Sequence, residues 1–100
     1  MSRRSAPRES GITAQIMAAL RRVPRCIVRK RHGTGWGVAG DPDLYGSIGG
    51  KHFELEVKRW GEELTPLQEA RLAQWRASGA IAGVAHSVDE ALALLGIEGE

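Results

Sequence analysis

Two acidic residues and a lysine are placed by their spacing on one face of a predicted β-hairpin. Asp43 begins the first of two β-compatible segments, and Glu56 and Lys58 lie near the end of the second. A Gly-Gly pair at 49–50 separates the segments, which is typical of a two-residue hairpin turn. This turn fixes the register, so that Asp43 lies opposite Glu56 and Lys58 follows two residues later on the same face.

Two opposed carboxylates repel each other, and their Cβ atoms would be about 5 Å apart in this register. Such a pair suits a hard cation, because Mg²⁺ prefers oxygen ligands and accepts one or two protein carboxylates beside water and phosphate. A cation there could activate water and neutralise charge on a phosphodiester. The alternative is a solvated polar face on which Lys58 only screens Glu56.

Side-chain alternation divides the predicted hairpin into a core face and a polar face. The apolar face must be the core, and its members are Leu44, Ile48, Phe53, Leu55 and Val57. The opposite face carries the polar side chains, which are Asp43, Tyr45, Glu54, Glu56 and Lys58.

The remaining elements follow from periodicity and from helix start and stop signals. An apolar repeat from Ile12 to Val23, bounded by Ser10-Gly11 and Pro24, predicts an amphipathic helix. Thr65, Pro66 and Gln68 form a predicted capping box. The expected order is helix, strand, hairpin, helix, strand and helix, giving an α/β fold with a small mixed sheet flanked by helices. Its predicted segments are 12–23, 26–28, 43–48, 51–58, 65–78, 80–85 and 87–95.

Length and composition limit the possible classes of protein. The chain has 100 residues, is 42% hydrophobic and 26% charged, and has one cysteine. These values indicate one small globular domain, predicted at 9–96 after a flexible basic tail at 1–8. They exclude an internal disulfide framework and a cysteine-rich zinc site. The apolar runs are too short for a membrane span, and no secretory signal is predicted, so we expect a cytoplasmic protein of a bacterium or of a phage-infected host.

Charge is distributed unevenly along the chain. Residues 1–31 carry nine Arg or Lys and one acid, whereas residues 32–100 carry five bases and eleven acids. Clustered bases gain affinity for polyanions by releasing counterions, which favours a nucleic-acid partner. The alternative is a solubilising tail. The predicted DNA-binding residues are Arg22, Arg25, Arg29, Lys30, Arg31 and His32.

The combined pattern resembles a nuclease family. The Asp43 region followed by Glu56-Val57-Lys58 is similar to the PD-(D/E)XK nuclease signature. A leading helix, a basic segment before a glycine loop, and a Thr-Pro-Leu-Gln sequence narrow the resemblance to VRR-NUC (virus-type replication-repair nuclease) domains of the stand-alone phage and bacterial type. The segments that carry this resemblance are Gly40-Asp41-Pro42-Asp43, Lys30-Arg31-His32-Gly33 and Leu64-Thr65-Pro66-Leu67-Gln68 before Gly79.

The resemblance implies roles for these residues. Asp43 and Glu56 would be metal ligands, with the backbone carbonyl of Val57 as a third, for Mg²⁺ or Mn²⁺. Lys58 would orient or deprotonate the attacking water and stabilise the developing phosphorane charge. Gln68 would lie beside the lysine, or it would only complete the helix cap with Thr65.

Three further features stay open at this point. Glu9 is the acid available as an additional ligand from the first helix, or it lies in the tail. His32 would contact the scissile phosphate, or it is simply exposed. Trp36 and Tyr45 are candidates for stacking on bases, whereas Trp60 and Trp75 suit a core or an interface equally.

The resemblance also implies an activity. It is metal-dependent endonucleolytic hydrolysis of DNA, similar to that of Holliday junction resolvases, which act as homodimers on branched DNA in replication and repair. The alternative is a nucleic-acid-binding module that has the nuclease fold but no turnover. A third possibility is a structural protein whose basic N-terminus binds another protein.

Overall fold

The structure is a computed structural model that describes residues 8–32 and 37–97. Helices and strands follow one another in the predicted order, and the predicted α/β class is confirmed. The predicted tail at 1–8 lies outside the described residues except for Arg8 and remains a prediction. The elements are α1 (Glu9–Arg21), β1 (Cys26–Lys30), β2 (Leu44–Ile48), β3 (Lys51–Val57), α2 (Pro66–Ala77), β4 (Ile81–Ala85) and α3 (Val88–Leu94).

The four strands form one mixed sheet in the order β1-β2-β3-β4. The first three strands are antiparallel, and β4 joins the other side of β3 in parallel. Leu44 pairs with Leu55 and Ile48 with Lys51, so the register predicted from the Gly-Gly turn is confirmed. The ends of β2 and β3 that carry Asp43 and Glu56 therefore lie together, away from the turn.

The hydrophobic core lies between one face of the sheet and the helices α1 and α3. Gly46 lies on this face of β2, and a Cβ there would overlap the Ile27 carbonyl oxygen and the Phe53 ring. The absence of a side chain thus lets β1 and the aromatic ring pack closely around β2. The core side chains are Ile12, Ile16, Leu20, Val28, Leu44, Phe53, Leu55, Val57, Ala85, Ala91 and Leu95.

Helix α2 covers the second face of the sheet above β3 and β4. The polar face of β3 is therefore buried: Glu54 is 0% exposed and Glu56 is 3% exposed. This burial contradicts the alternative of a solvated polar hairpin face. Among the described helices, none combines the length and the apolar character that crossing a membrane requires.

The first helix begins earlier than predicted. Ile12 donates its backbone N–H to the Arg8 carbonyl, so the first turn includes Glu9. An acidic side chain in a first helical turn interacts favourably with the helix dipole. Ser10 and Gly11 are thus inside α1 rather than at its boundary, and Glu9 belongs to the folded domain.

Candidate active site

Asp43 is held at the end of the hairpin by the neighbouring strand. It directly precedes β2, and its Oδ2 accepts a hydrogen bond of 3.0 Å from the backbone N–H of Val57. The backbone N–H of Arg31 donates to the Asp43 carbonyl at 2.7 Å. Because Val57 follows Glu56, the bond to Val57 holds the Asp43 carboxylate beside that of Glu56.

Glu56 has an unusual electrostatic environment. Burial, together with the nearby charge of Asp43 and a hydrogen bond to it, raises the pKa of Glu56 to about 8. In neutral solution without a cation, the protonated form of Glu56 is therefore favoured, and it donates a hydrogen bond to Asp43. A divalent cation held by these two carboxylates would take the place of that proton and offset their repulsion.

Lys58 provides a positive charge in the same place. Its backbone N–H donates to the Ala85 carbonyl at 3.2 Å, which fixes the chain where β3 ends. Its ammonium group favours the ionised forms of Glu56 and Glu9 and so opposes the rise in the pKa of each. Lys58 thus lies within electrostatic range of both acids.

Gln68 forms the predicted helix cap with Thr65 and also approaches Glu56, whereas its expected position beside Lys58 stays a prediction. Its Oε1 accepts from the Thr65 backbone N–H at 3.0 Å, and its own N–H donates to the Thr65 hydroxyl at 3.1 Å. Its Nε2 lies 3.5 Å from Glu56 Oε2, as a long hydrogen bond. The capping box orients the amide so that its NH₂ group faces the carboxylate.

Glu9 approaches the same cluster from the start of α1. Burial and a hydrogen bond to Glu62 raise the pKa of Glu9, and the charge of Asp43 contributes in the same direction. Glu9 in turn contributes to the raised pKa of Glu56. Glu9 therefore lies in α1 within electrostatic range of the two carboxylates, and its role as a ligand stays a prediction.

The donors at this place suit a magnesium ion with several water ligands. Within residues 8–32 and 37–97, no three His, Cys, Asp or Glu side chains form a group that could hold a metal ion by themselves. Mg²⁺ does not need such a group, because it usually binds one or two carboxylates and keeps water for its other positions. Two adjacent carboxylates, one of them with a pKa raised by burial and by the charge of the other, fit that chemistry.

The fold was compared with those of known proteins. One solved structure, named as a VRR_NUC domain protein, has a TM-score of 0.75 and 21% identity, covering 92% of this chain and 88% of that one. Another, named as a VRR_NUC domain, has a TM-score of 0.73 and 23% identity, covering 88% of this chain and 94% of that one. The chain has the VRR-NUC fold. No family model and no curated protein matches the sequence.

A second buried acid in this VRR-NUC fold was missed from the sequence. Glu54 binds Arg31 through both carboxylate oxygens, at 2.7 and 3.2 Å, and also contacts His52 Nε2 at 2.7 Å. Arg31 donates in addition to the Pro42 carbonyl at 2.7 Å, next to Asp43. Alternation placed Glu54 on the polar face, but no sequence signal paired it with Arg31.

The predicted DNA-binding residues divide into two groups. Because β1 and β2 are antiparallel, Lys30 pairs with Leu44, next to Asp43. At the other end of β1, the Arg25 carbonyl accepts a hydrogen bond from the Gly49 backbone N–H at the hairpin turn. These two ends are about 14 Å apart over a five-residue strand. The exposed members are Arg22, Arg25, Arg29, Lys30 and His32, whereas Arg31 is committed to its ion pair with Glu54.

The aromatic candidates also differ in position. Tyr45 lies 4.6 Å from the Arg31 guanidinium, and Trp75 packs against His52 and donates to Asp41 at 3.2 Å. Both rings are half-buried and pack near the Arg31 guanidinium that binds Glu54. Trp60 is 68% exposed, and Trp36 lies outside the described residues.

Proposed function

We propose that this protein is a metal-dependent endonuclease of the VRR-NUC family that hydrolyses phosphodiester bonds in DNA. The observation that carries the proposal is a pair of facing carboxylates, the buried Glu56 and the half-buried Asp43, with the charge of Lys58 within electrostatic range. A buried carboxylate beside another acid is unfavourable for folding alone, and perturbed acids in such places commonly mark functional sites.

The residues that would hold Mg²⁺ or Mn²⁺ are Asp43, Glu56 and the Val57 carbonyl, with Glu9 as a further acidic ligand from α1. When bound, such an ion lowers the pKa of coordinated water and neutralises charge on the phosphodiester. The protein contributes the geometry, since the Val57 N–H holds Asp43 and the Gln68 amide holds Glu56.

Lys58 would act on the water and on the phosphate. Its ammonium group can orient the attacking oxygen and stabilise negative charge as the pentavalent phosphorus forms. The bond that breaks would leave a 5′-phosphate and a 3′-hydroxyl, as is usual in the PD-(D/E)XK superfamily. The exposed bases at the Lys30 end of β1 would contact phosphates next to this centre, and those at the Arg25 end would contact phosphates farther along the DNA.

The substrate would be branched DNA, such as a Holliday junction, cut in replication or repair. Two copies of the chain would act as a homodimer that presents one centre to each of two strands. This part of the proposal is supported by the resemblance to stand-alone VRR-NUC proteins. A monomer in light scattering at tens of micromolar would contradict paired cleavage but not nicking.

Cleavage of labelled junction, flap and linear DNA, with Mg²⁺, Mn²⁺ or EDTA, tests the function. We expect cation-dependent products from wild type and none from Glu56→Gln. Glu69→Gln is the matched control, because it makes the same chemical change at an exposed position of α2. Binding without cleavage under every cation condition would favour the non-catalytic module instead.

A further inference from the structure

A surface groove opens beside the candidate active site where the chain leaves β3. Its volume is about 510 Å³, within the range typical of small-molecule sites. The groove has an aromatic wall and several polar groups. Its principal lining residues are Gln15, Arg59, Trp60, Glu62, His86 and Ser87.

The aromatic wall is a stack of two rings. The Trp60 ring lies 4.1 Å from the His86 ring, centre to centre, with an angle of 11° between the planes. His86 is itself fixed, because its Nδ1 lies 2.7 Å from Glu90 Oε1 and its backbone N–H donates to the same oxygen at 2.8 Å. Trp60 is therefore held by a fixed partner although 68% of it is exposed.

The groove adjoins the end of β3 that carries Glu56 and Lys58. The backbone N–H of Lys58 donates to the Ala85 carbonyl at 3.2 Å, and His86, which directly follows Ala85, lines the groove. Arg59 directly follows Lys58 in the chain and also lines the groove. A phosphate bound at the candidate active site would thus place its neighbouring nucleotide near Trp60.

The chemistry of the groove suits a nucleobase. An exposed aromatic ring offers a stacking surface that every base can use, and Arg, Gln and Ser side chains can donate hydrogen bonds to base edges. Bases inside a duplex are covered on both faces by their neighbours, so only an unpaired base can stack in this way.

We propose that this groove binds an unpaired nucleobase next to the phosphodiester that is cleaved. The inference rests on the proposed function for its location, and it deepens that function. The substrate class becomes DNA with a single-stranded segment or an unpaired nucleotide at the cleavage point. The competing occupant is a second copy of the chain, for which the groove would be part of a dimer interface.

The test measures binding in EDTA, where no cleavage occurs, with fluorescently labelled oligothymidine and a duplex of equal length. We expect Trp60→Ala to weaken oligothymidine binding about tenfold, or 1.4 kcal/mol, within the range for stacking one base. Duplex affinity should change less than twofold. Val38→Ala is the control, because it removes an exposed apolar side chain outside the groove and should change neither affinity.

Two further variants keep the test decisive if Trp60→Ala folds poorly. Trp60→Phe retains an aromatic face and should bind oligothymidine within threefold of wild type, whereas Trp60→Leu retains only apolar bulk and should bind like Trp60→Ala. Equal loss for both DNA probes, or no loss for either, overturns the proposal. So does a shift in oligomeric state with unchanged oligothymidine affinity, which would assign Trp60 to an interface.

The groove and the proposed function can fail separately. Selective loss of oligothymidine binding in a protein that never cleaves DNA would retain the groove and reject the nuclease. Cation-dependent cleavage with an unaltered Trp60→Ala binding profile would retain the nuclease and reject the groove.

Discussion

Glu54 and Glu56 lie two residues apart on the same strand and the same face, and both are buried beneath α2. Glu54 is bound through both oxygens by Arg31 and is also contacted by His52. Glu56 faces another acid, Asp43, and the only hydrogen-bond donor that reaches it from α2 among the described residues is the Gln68 amide at 3.5 Å.

The difference separates a structural acid from a candidate reactive one. A buried carboxylate with a guanidinium partner is satisfied within the fold, and removing either partner leaves an uncompensated charge. A buried carboxylate beside another carboxylate is satisfied only by a proton or by a cation from solution. Burial alone therefore does not distinguish a candidate active site, whereas burial beside another acid and without a directly bound counter-ion does.

The largest effect that sharpens this contrast concerns cleavage. Replacing Lys58 with Ala removes the charge that would act in the transition state, so single-turnover cleavage should fall at least about 100-fold. Gel-shift affinity for the same DNA in EDTA should stay nearly unchanged, because the duplex contacts many other groups. A cleavage rate within tenfold of wild type would contradict the role of Lys58, since that factor is only about 1.4 kcal/mol of barrier.

The next effect is a difference in the stability of variants at Glu54 and Glu56. Glu54→Gln leaves Arg31 without its carboxylate partner, and we expect the free energy of unfolding to fall by about 3 kcal/mol. Glu56→Gln at the same pH in EDTA should not destabilise the protein, because it replaces a protonated acid with a neutral amide of similar shape. Urea denaturation of both variants measures this, and equal losses would remove the distinction.

Metal binding gives a smaller and opposite effect. Mg²⁺ at ten times its dissociation constant should stabilise wild type by about 1.4 kcal/mol, a rise in Tm of roughly 5–10 °C. Asp43→Asn should lose most of this increment. At pH 9, where Glu56 is ionised, the same substitution should raise the Tm in EDTA because it removes the repulsion. Melting curves at constant ionic strength test both points, and a full Mg²⁺ increment in Asp43→Asn would exclude Asp43 as a ligand.

The last effect is the pH dependence of stability without metal. The folded-state pKa of Glu56 is about 8, above its usual 4.5, so the fold favours the protonated acid. This contribution is complete below pH 4.5 and is lost as the pH rises through 8. Wild type in EDTA should therefore lose Tm over that range relative to Glu56→Gln. Parallel curves for the two proteins would show that Glu56 titrates normally.

The register of the hairpin and the capping box of α2 were predictable because each depends on residues close together in the chain. The Gly-Gly turn determines which residues of β2 and β3 are opposed, and Thr65 with Gln68 determines where α2 begins. The partner of Glu54 was not predictable from the sequence. Side-chain alternation assigns Glu54 to a face of the sheet, but it does not show that Arg31, 23 positions earlier in the chain, lies against that face.

Two other outcomes have the same origin. The start of α1 was misplaced because Ser10 resembles a helix cap, whereas the Arg8 carbonyl accepts the first hydrogen bond of the helix. The basic residues were treated as one group because they are neighbours in sequence. An antiparallel strand takes Arg25 and Lys30 to opposite ends of the sheet, which only the pairing with β2 reveals.

The double role of Gln68 restricts what evolution can place there. A capping box accepts glutamate as readily as glutamine at this position, so helix α2 alone would tolerate their exchange. A glutamate would direct a third negative charge at Glu56, where the amide now donates a hydrogen bond. Glutamine at this position is therefore constrained by its neighbour Glu56 on β3 and not by the start of helix α2.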